Sequence, residues 1–335
     1  MDQSAEIVYH KNHIADPENL MSVIKPFIED IVICVECIFT WYWIADFCEE
    51  HNIPFVLGHA YYMKAISGAK TKNDKIDSQK IAALLRGGMI PMAYVYPQKM
   101  RAARDLFRRR IYLVRRIADL QSHIQNTNTL YNTETIRKGI DSFTSGYKAE
   151  VLSQFSDPVI NLSVSVDFSI IESLTLQIRR IEKLAMKAAK CFDQISLVLL
   201  QSIPGIGEIL ALTILYEIND INRFSRVQNF ASYCRVVKCP RESSGKQYGS
   251  KNTKIGNPVL KWAFSEAAVP FIRYCPDAKP YHQRLLNKYG KAKAYSIIAH
   301  KLARAVFFIM KKRRPFDLAL FFSNSRVEHT IPAHN

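Results

Sequence analysis

No apolar run in this 335-residue chain is long enough to cross a bilayer: Ile31 to Val35 is too short and Ala263 to Ile272 is too interrupted. The opening Met1-Asp2-Gln3-Ser4-Ala5-Glu6 has neither a basic start nor an apolar stretch, so no targeting segment and no membrane partner are expected, and the protein is placed in the cytoplasm. Cysteine is sparse. Of seven, only Cys34 and Cys37 form a CxxC, within the strand-like run Ile31 to Cys37, and no second Cys or His pair follows at ligand spacing. They read as small buried core residues rather than a zinc or redox site. Nine scattered histidines nominate no metal site, and neither internal repeats nor low-complexity tracts are present. Acidic side chains are also in short supply: 30 Asp and Glu stand against 46 Lys and Arg, for a net charge of +16. The natural partner of such a chain is a polyanion. Its 48% hydrophobic content is enough for two or three domains with their own cores.

The first third alternates between the two periods. Residues 6 to 12 read as a strand, 16 to 29 as a helix, 31 to 36 as a buried strand, 41 to 50 as an amphipathic helix, 54 to 57 as a short strand and 74 to 85 as a helix, which together make an α/β pattern. From Gln98 to about Leu130 no Pro or Gly intervenes, and Leu106, Leu113, Ile117, Leu120 and Ile124 fall on heptad a and d positions, so one long helix with a partner is expected. A second stripe, Ile171, Leu174, Ile178, Ile181, Ala185 and Ala188, offers that partner after an irregular segment from Tyr131 to Asp167, which suggests an antiparallel coiled-coil hairpin. The long helix carries Lys99, Arg101, Arg104, Arg108, Arg109, Arg110, Arg115 and Arg116 against only Asp105 and Asp119. A solvated helix face ordinarily mixes both signs, so this stripe is a candidate for nucleic-acid contact. Ser202-Ile203-Pro204-Gly205-Ile206-Gly207 precedes an apolar helix from Glu208 to Glu217. Its glycines leave backbone N–H groups that can hold a phosphate, as in helix-hairpin-helix elements, or else form an ordinary tight turn. The last third reads as helices at 258 to 274, 280 to 289 and 291 to 312, closed by Lys311, Lys312, Arg313 and Arg314.

Candidate chemistry lies in three places. Glu36 closes a buried strand, where an α/β sheet commonly keeps its site, although it could equally be a solvated strand end. Asp74 and Asp77 share one helix face and can hold a hard divalent ion if a third carboxylate joins them, whereas the bland account makes Asp74 a cap and Asp77 a partner of the helix dipole. Ser243 lies in Lys238-Cys239-Pro240-Arg241-Glu242-Ser243-Ser244-Gly245-Lys246. A serine among basic residues in a Gly-containing loop can attack a phosphodiester, and an ordinary surface turn has the same composition.

Val35-Glu36-Cys37-Ile38-Phe39-Thr40-Trp41-Tyr42-Trp43, Lys72-Asn73-Asp74-Lys75-Ile76-Asp77-Ser78-Gln79-Lys80-Ile81-Ala82, Ser202 to Gly207, and Arg241-Glu242-Ser243-Ser244-Gly245 followed by Lys254-Ile255-Gly256-Asn257 stand in an order that resembles the DEDD transposases of the insertion sequence 110 family. The likeness runs through nearly the whole chain. It implies an α/β RNase H-like, or RuvC-like, domain over residues 1–96, a coiled-coil region over 97–196, and a mainly α-helical transposase domain with a helix-hairpin-helix-like element over 197–335. Glu36, Asp74 and Asp77 match the second, third and fourth members of the acidic tetrad that holds magnesium, and Ser243 matches the serine nucleophile. The implied function is DNA strand cleavage and exchange by an RNA-guided recombinase. Its partners are element ends, target DNA and a structured guide RNA, and it works as a homo-oligomer. Contacts to nucleic acid are expected from Arg108, Arg109, Arg115, Arg116, Gly205, Gly207, Arg241, Lys246, Lys254, Lys311, Lys312, Arg313 and Arg314, mostly to the backbone.

One departure stands out. Family members open with a strand carrying a first aspartate in a Gly-hydrophobic-Asp setting, and this chain starts after that point, at Asp2-Gln3-Ser4-Ala5-Glu6-Ile7-Val8. The expectation is therefore an RNase H-like domain incomplete at its N-terminus, with Asp2 as turn material. Two rival readings follow: a nucleic-acid-binding remnant that no longer cuts, and a metal-only junction endonuclease in which Ser243 is structural.

Overall fold

A computed structural model of the chain describes residues 1–38, 40–67, 73–133, 145–237, 242–243, 246–247 and 255–323. The chain divides into two compact units, Met1–Arg101 and Ala102–Asn335.

In the first unit Asp16 caps α1 (Pro17–Ile24) by accepting from the Asn19 N–H at 2.8 Å. Pro26 cannot donate the next helical hydrogen bond, so the helix expected to reach residue 29 tightens into a 3-10 turn over Lys25–Asp30. β1 (Ile33–Glu36) then runs through α2 (Trp41–Glu50) to β2 (Phe55–Gly58). The two strands pair in parallel, Ile33 opposite Phe55 and Glu36 opposite Gly58, with α2 as the crossover such pairing demands. α2 serves two small cores. Phe47 and Cys48 pack with Ile24 and Ile53, while Trp41 and Ala45 pack with Leu57 and Tyr96. α3 (Ala60–Ser67), which the sequence pattern did not suggest, and α4 (Asp74–Arg86) follow.

Residues 6 to 12, expected as a strand, are not one: Ile7 and Val8 are exposed, and no ladder partner lies beside them among the described residues. Extended apolar backbone without such a partner gains neither hydrogen bonds nor burial. Asp2 does form a turn, its carboxylate accepting from the Glu6 N–H at 2.8 Å. The CxxC cysteines are not core residues either, Cys34 being half-buried and Cys37 exposed.

α5 (Gln98–Leu130) carries the chain into the second unit as 33 unbroken helical residues. The irregular stretch expected next holds α6 (Ser145–Leu152) and the start of α7 (Pro158–Gln201). Leu113, Ile117 and Ile124 of α5 meet Val164, Phe168, Ile171 and Ile178 of α7, and Tyr147, Val151 and Phe155 close the cluster. The sense is antiparallel. Arg110 reaches Glu182 and His123 reaches Asp167, so one helix descends as the other climbs. α7 is the one described helix long and apolar enough, by length and composition, to pass as a membrane span. No single uninterrupted apolar run marks it, and its inner face is taken by α5. At Asp193 its backbone leaves helical angles, and the Asp193 carboxylate recaps the continuation by accepting from the Ser196 N–H at 3.0 Å.

α8 (Glu208–Ile218), almost wholly buried, packs on α7 and on α10 (Pro258–Tyr274). Between them lie α9 (Val227–Tyr233) and a two-residue hairpin, β3 (Glu242–Ser243) with β4 (Lys246–Gln247). α11 (Ala278–Tyr289), α12 (Lys291–Lys312) and α13 (Leu318–Ser323) complete the helical layer.

Candidate catalytic residues and nucleic-acid interface

The three predicted carboxylates all sit in the first unit. Glu36 ends β1, and α4, whose first turn holds Asp74 and Asp77, packs beside that strand. The cap of α4 is Asn73, whose side chain accepts from the Lys75 N–H at 2.9 Å, so Asp74 is not needed for capping. Packing of the elements does not gather their carboxylates. Among the described residues no group of three or more His, Cys, Asp or Glu side chains is placed to hold a metal ion. As arranged, Glu36, Asp74 and Asp77 do not form a magnesium ligand set.

Ser243 stands in β3, its backbone opposite Lys246 of β4. Arg241, Ser244, Gly245 and Lys254 lie outside the described residues, as do the side chains of Ser243 and Lys246. The two ends of this excursion are pinned together. Arg235, in the left-handed region at φ 56°, donates from Nε to the Ile255 carbonyl at 2.6 Å, and the Asn257 N–H donates to the Tyr233 carbonyl at 2.6 Å. Gly256 between them has φ 85°, and a Cβ there would come within 2.5 Å of the Tyr233 oxygen.

Beneath that anchor is a buried ion network absent from the sequence reading. Glu217, in the apolar helix α8, accepts from Arg108 Nε at 2.6 Å, from Arg104 Nη2 at 3.2 Å and from Asn257 Nδ2 at 2.6 Å. Asn257 Oδ1 meanwhile caps α10 through the Val259 and Leu260 N–H groups. Burial by itself would push the Glu217 carboxyl up, but the hydrogen bond from Arg108 and the two guanidinium charges outweigh it and hold it below the ordinary carboxylate range. The available signal was a carboxylate near the C-terminal end of an apolar helix, far from the first turn that holds Glu208, and a charge buried there cannot stay ionised without cationic partners.

This network divides the basic stripe of α5. Arg101 is buried on Asp46 beneath Trp41 and Tyr42, Arg104 and Arg108 hold Glu217, and Arg110 pairs with Glu182. Arg108, counted among the phosphate contacts, is thus engaged by a buried carboxylate. Arg109, Arg115 and Arg116 face outward. Arg109 and Arg116 flank the exposed ring of Tyr112 at 4.7 and 5.1 Å from its centroid, and Arg116 also approaches Asp119 at 3.3 Å. Two guanidinium groups around one ring can hold phosphate while presenting an aromatic face.

The other predicted contacts divide in the same way. Gly205, at φ 85°, lies so close to α10 that a Cβ would meet the Phe271 nitrogen at 2.5 Å, whereas Gly207, the N-cap of α8, faces open space beside Glu208. Arg313 caps α12 and binds Asp193 at 2.9 Å and Ser196 at 2.6 Å, leaving Lys311, Lys312 and Arg314 exposed.

Comparison with known proteins covers both ends of this arrangement. The DEDD transposase model of the IS110 group matches residues 18–132, and the model described as transposase IS116/IS110/IS902 family matches residues 197–283. The first implies an RNase H-like fold for its region, of which the described residues carry the small parallel sheet. The transposase for insertion sequence element IS1111A of Coxiella burnetii is 24% identical over 120 residues, covering 35% of this chain and 33% of that protein. The protein y4qE of Sinorhizobium fredii, itself named as a transposase, is 25% identical over 228 residues, covering 66% of this chain and 54% of that protein. The chain thus spans about a third and about half of the length of these curated relatives.

Proposed function

From the premise that this chain belongs to the IS116/IS110/IS902 family of transposases, we propose that it is the DNA recombinase of an insertion sequence, cutting and rejoining strands at element ends and target through Ser243. One observation carries the reading: the two family matches enclose, in order, Glu36, Asp74 and Asp77 in the first and Ser243 in the second. In the proposed step the Ser243 hydroxyl loses its proton and its oxygen bonds to a backbone phosphorus. The bond from that phosphorus to one sugar oxygen breaks, and the departing oxygen takes up a proton. A hydroxyl of the other strand then reverses the step and frees the serine. The pinned ends at Arg235 and Asn257 support a fixed base for the serine hairpin. Arg241, Lys246 and Lys254 are proposed to meet the cleaved phosphate's neighbours.

Outward Arg109, Arg115 and Arg116, with Lys311, Lys312 and Arg314, support binding to the backbone of DNA and of a structured guide RNA. The domain boundaries at 96/97 and 196/197 and the coiled-coil reading of the α5 and α7 pair belong to the same proposal. So does a homo-oligomer: Val159, Leu162, Val166 and Ile170 form an exposed apolar stripe on α7 that suits a second copy, and sedimentation of a Leu162→Glu variant tests it. DEDD domains are of a metal-dependent type, and magnesium is the proposed ion. No step is assigned to that ion, because the three carboxylates do not form a ligand set as placed.

The test is a denaturant-resistant protein–DNA adduct on a DNA substrate, present in the wild type, absent in Ser243→Ala and kept in Ser244→Ala. Persistence in Ser243→Ala would remove the serine from this role. The ungrouped carboxylates favour a second reading, a nucleic-acid binder that does not cut, which the same assay would reveal as binding without adduct.

A further inference from the structure

Against the outer side of α12, the segment from Arg314 through α13 leaves a cleft of about 850 Å³, within the size range of sites that enclose small molecules. Its lining is unusual in charge. Lys301, Arg304, Lys312 and Arg314 all border it, and the one acidic group there, Asp317, has its carboxylate engaged in capping α13 by accepting from the Leu320 N–H at 2.9 Å. No carboxylate pairs with Arg304, Lys312 or Arg314 among the described residues. Amid these cations two large apolar side chains are left open, Phe308 at 39% and Leu320 at 57% exposure. Lys312 Nζ stands 5.6 Å from the centroid of the Phe308 ring. Deeper in, Lys301 Nζ lies 5.0 Å from the ring centroids of both Tyr281 and Phe321, a cation bedded on aromatic faces.

Unbalanced positive charge asks for an anion, and an open aromatic face within a few ångströms of it asks for a flat apolar group on the same ligand. A nucleotide supplies both. In a duplex the base is stacked and paired inside and cannot reach a side cleft, whereas in a single strand it is available. We infer that this cleft seats an unpaired nucleotide of a single-stranded nucleic acid, its base against Phe308 and Leu320 and its phosphate on Arg304, Lys312 and Arg314. The inference rests on the proposed handling of nucleic acid but adds to it a preference that a backbone-contacting stripe does not produce. A stripe of outward cations holds duplex at least as well as single strand, because a duplex carries more charge per length.

The test uses the full chain and fluorescence anisotropy with two labelled probes, a short oligothymidylate and a duplex of equal length. Phe308→Ala should weaken oligothymidylate binding on the order of tenfold and change duplex binding by less than about twofold, because only the stacked base is lost. Phe308→Leu keeps the apolar volume, guards against misfolding, and should still lose most of the effect, since a branched aliphatic chain offers no ring face. Arg304→Gln with Lys312→Gln should weaken oligothymidylate binding and flatten its salt dependence. Equal losses for both probes, or none for either, would overturn the cleft assignment and leave the nucleic-acid reading standing. Failure of the wild type to bind either probe would overturn both. A fall in sedimenting mass in Phe308→Ala with unchanged oligothymidylate binding would overturn it in favour of a second copy of the chain.

Discussion

Glu217 of α8 and Asn257, the residue before α10, are joined by a 2.6 Å hydrogen bond across 40 positions of sequence, Nδ2 donating to Oε2. Through it one buried carboxylate ties the basic helix α5 to the foot of the segment that bears Ser243, since Arg104 and Arg108 donate to the same carboxylate.

Removing that carboxylate should be costly and should change the acid response. Glu217→Ala leaves a buried guanidinium uncompensated, a loss of about 3–5 kcal/mol. The Glu217 carboxyl is depressed in the folded chain, so its stabilising contribution is complete above its unfolded value near 4.3, fades as pH falls toward the folded value and is gone below it. Melting temperature followed from pH 7 down to about pH 3 should drop more steeply in the wild type than in Glu217→Gln. Parallel curves would show that the network does not govern acid stability.

The division of the arginine stripe predicts two kinds of variant. Arg109→Glu and Arg116→Glu should keep the fold and weaken binding to unrelated nucleic acids alike, lowering the slope of log affinity against log salt by roughly one per lost contact. Arg108→Glu should instead destabilise the fold, because it sets two carboxylates against each other around Arg104. Binding curves in a salt series, with thermal melts alongside, separate the two. A stable Arg108→Glu chain with reduced binding would return Arg108 to the interface.

Gly205 and Gly207, only two positions apart, should respond differently to a methyl group. Gly205→Ala places a Cβ against the Pro270–Phe271 backbone at a positive φ and should cost about 2–4 kcal/mol. Gly207→Ala meets open space and should cost about 1 kcal/mol or less. Urea unfolding of both variants is the measurement.

Magnesium should bind weakly. With no three-carboxylate group among the described residues, calorimetry should show affinity in the millimolar range or poorer, on the order of the weakest protein sites for hard divalent ions. Asp77→Asn should then change little. Micromolar binding abolished by Asp74→Asn would mean that the carboxylates gather around the ion.

Much of the fold follows from local pattern. α2 and α5 occupy the spans their apolar periodicity and the absence of helix breakers predict, and Leu113, Ile117, Ile124, Ile171 and Ile178 are buried as their heptad positions require. Periodicity reports which face of a helix is apolar, and that is enough to place α5 against α7. The family motifs were legible as well, since each is a short contiguous string. The fate of each charge was not. Arg108 and Arg109 are neighbours in one basic run, yet Arg108 is engaged by a carboxylate 109 positions away while Arg109 meets solvent and Tyr112. Gly205 and Gly207 look alike in the turn, and only the approach of α10 makes one indispensable for packing. Residues 6 to 12 carry a strand's pattern but have no strand beside them among the described residues. Sequence determined α2, α5 and the apolar faces that join α5 to α7, because those depend on neighbours within a few residues. Tertiary structure alone decided which cations face outward, which glycine is confined and which strand pairs, because each depends on what distant residue the fold brings within about 4 Å.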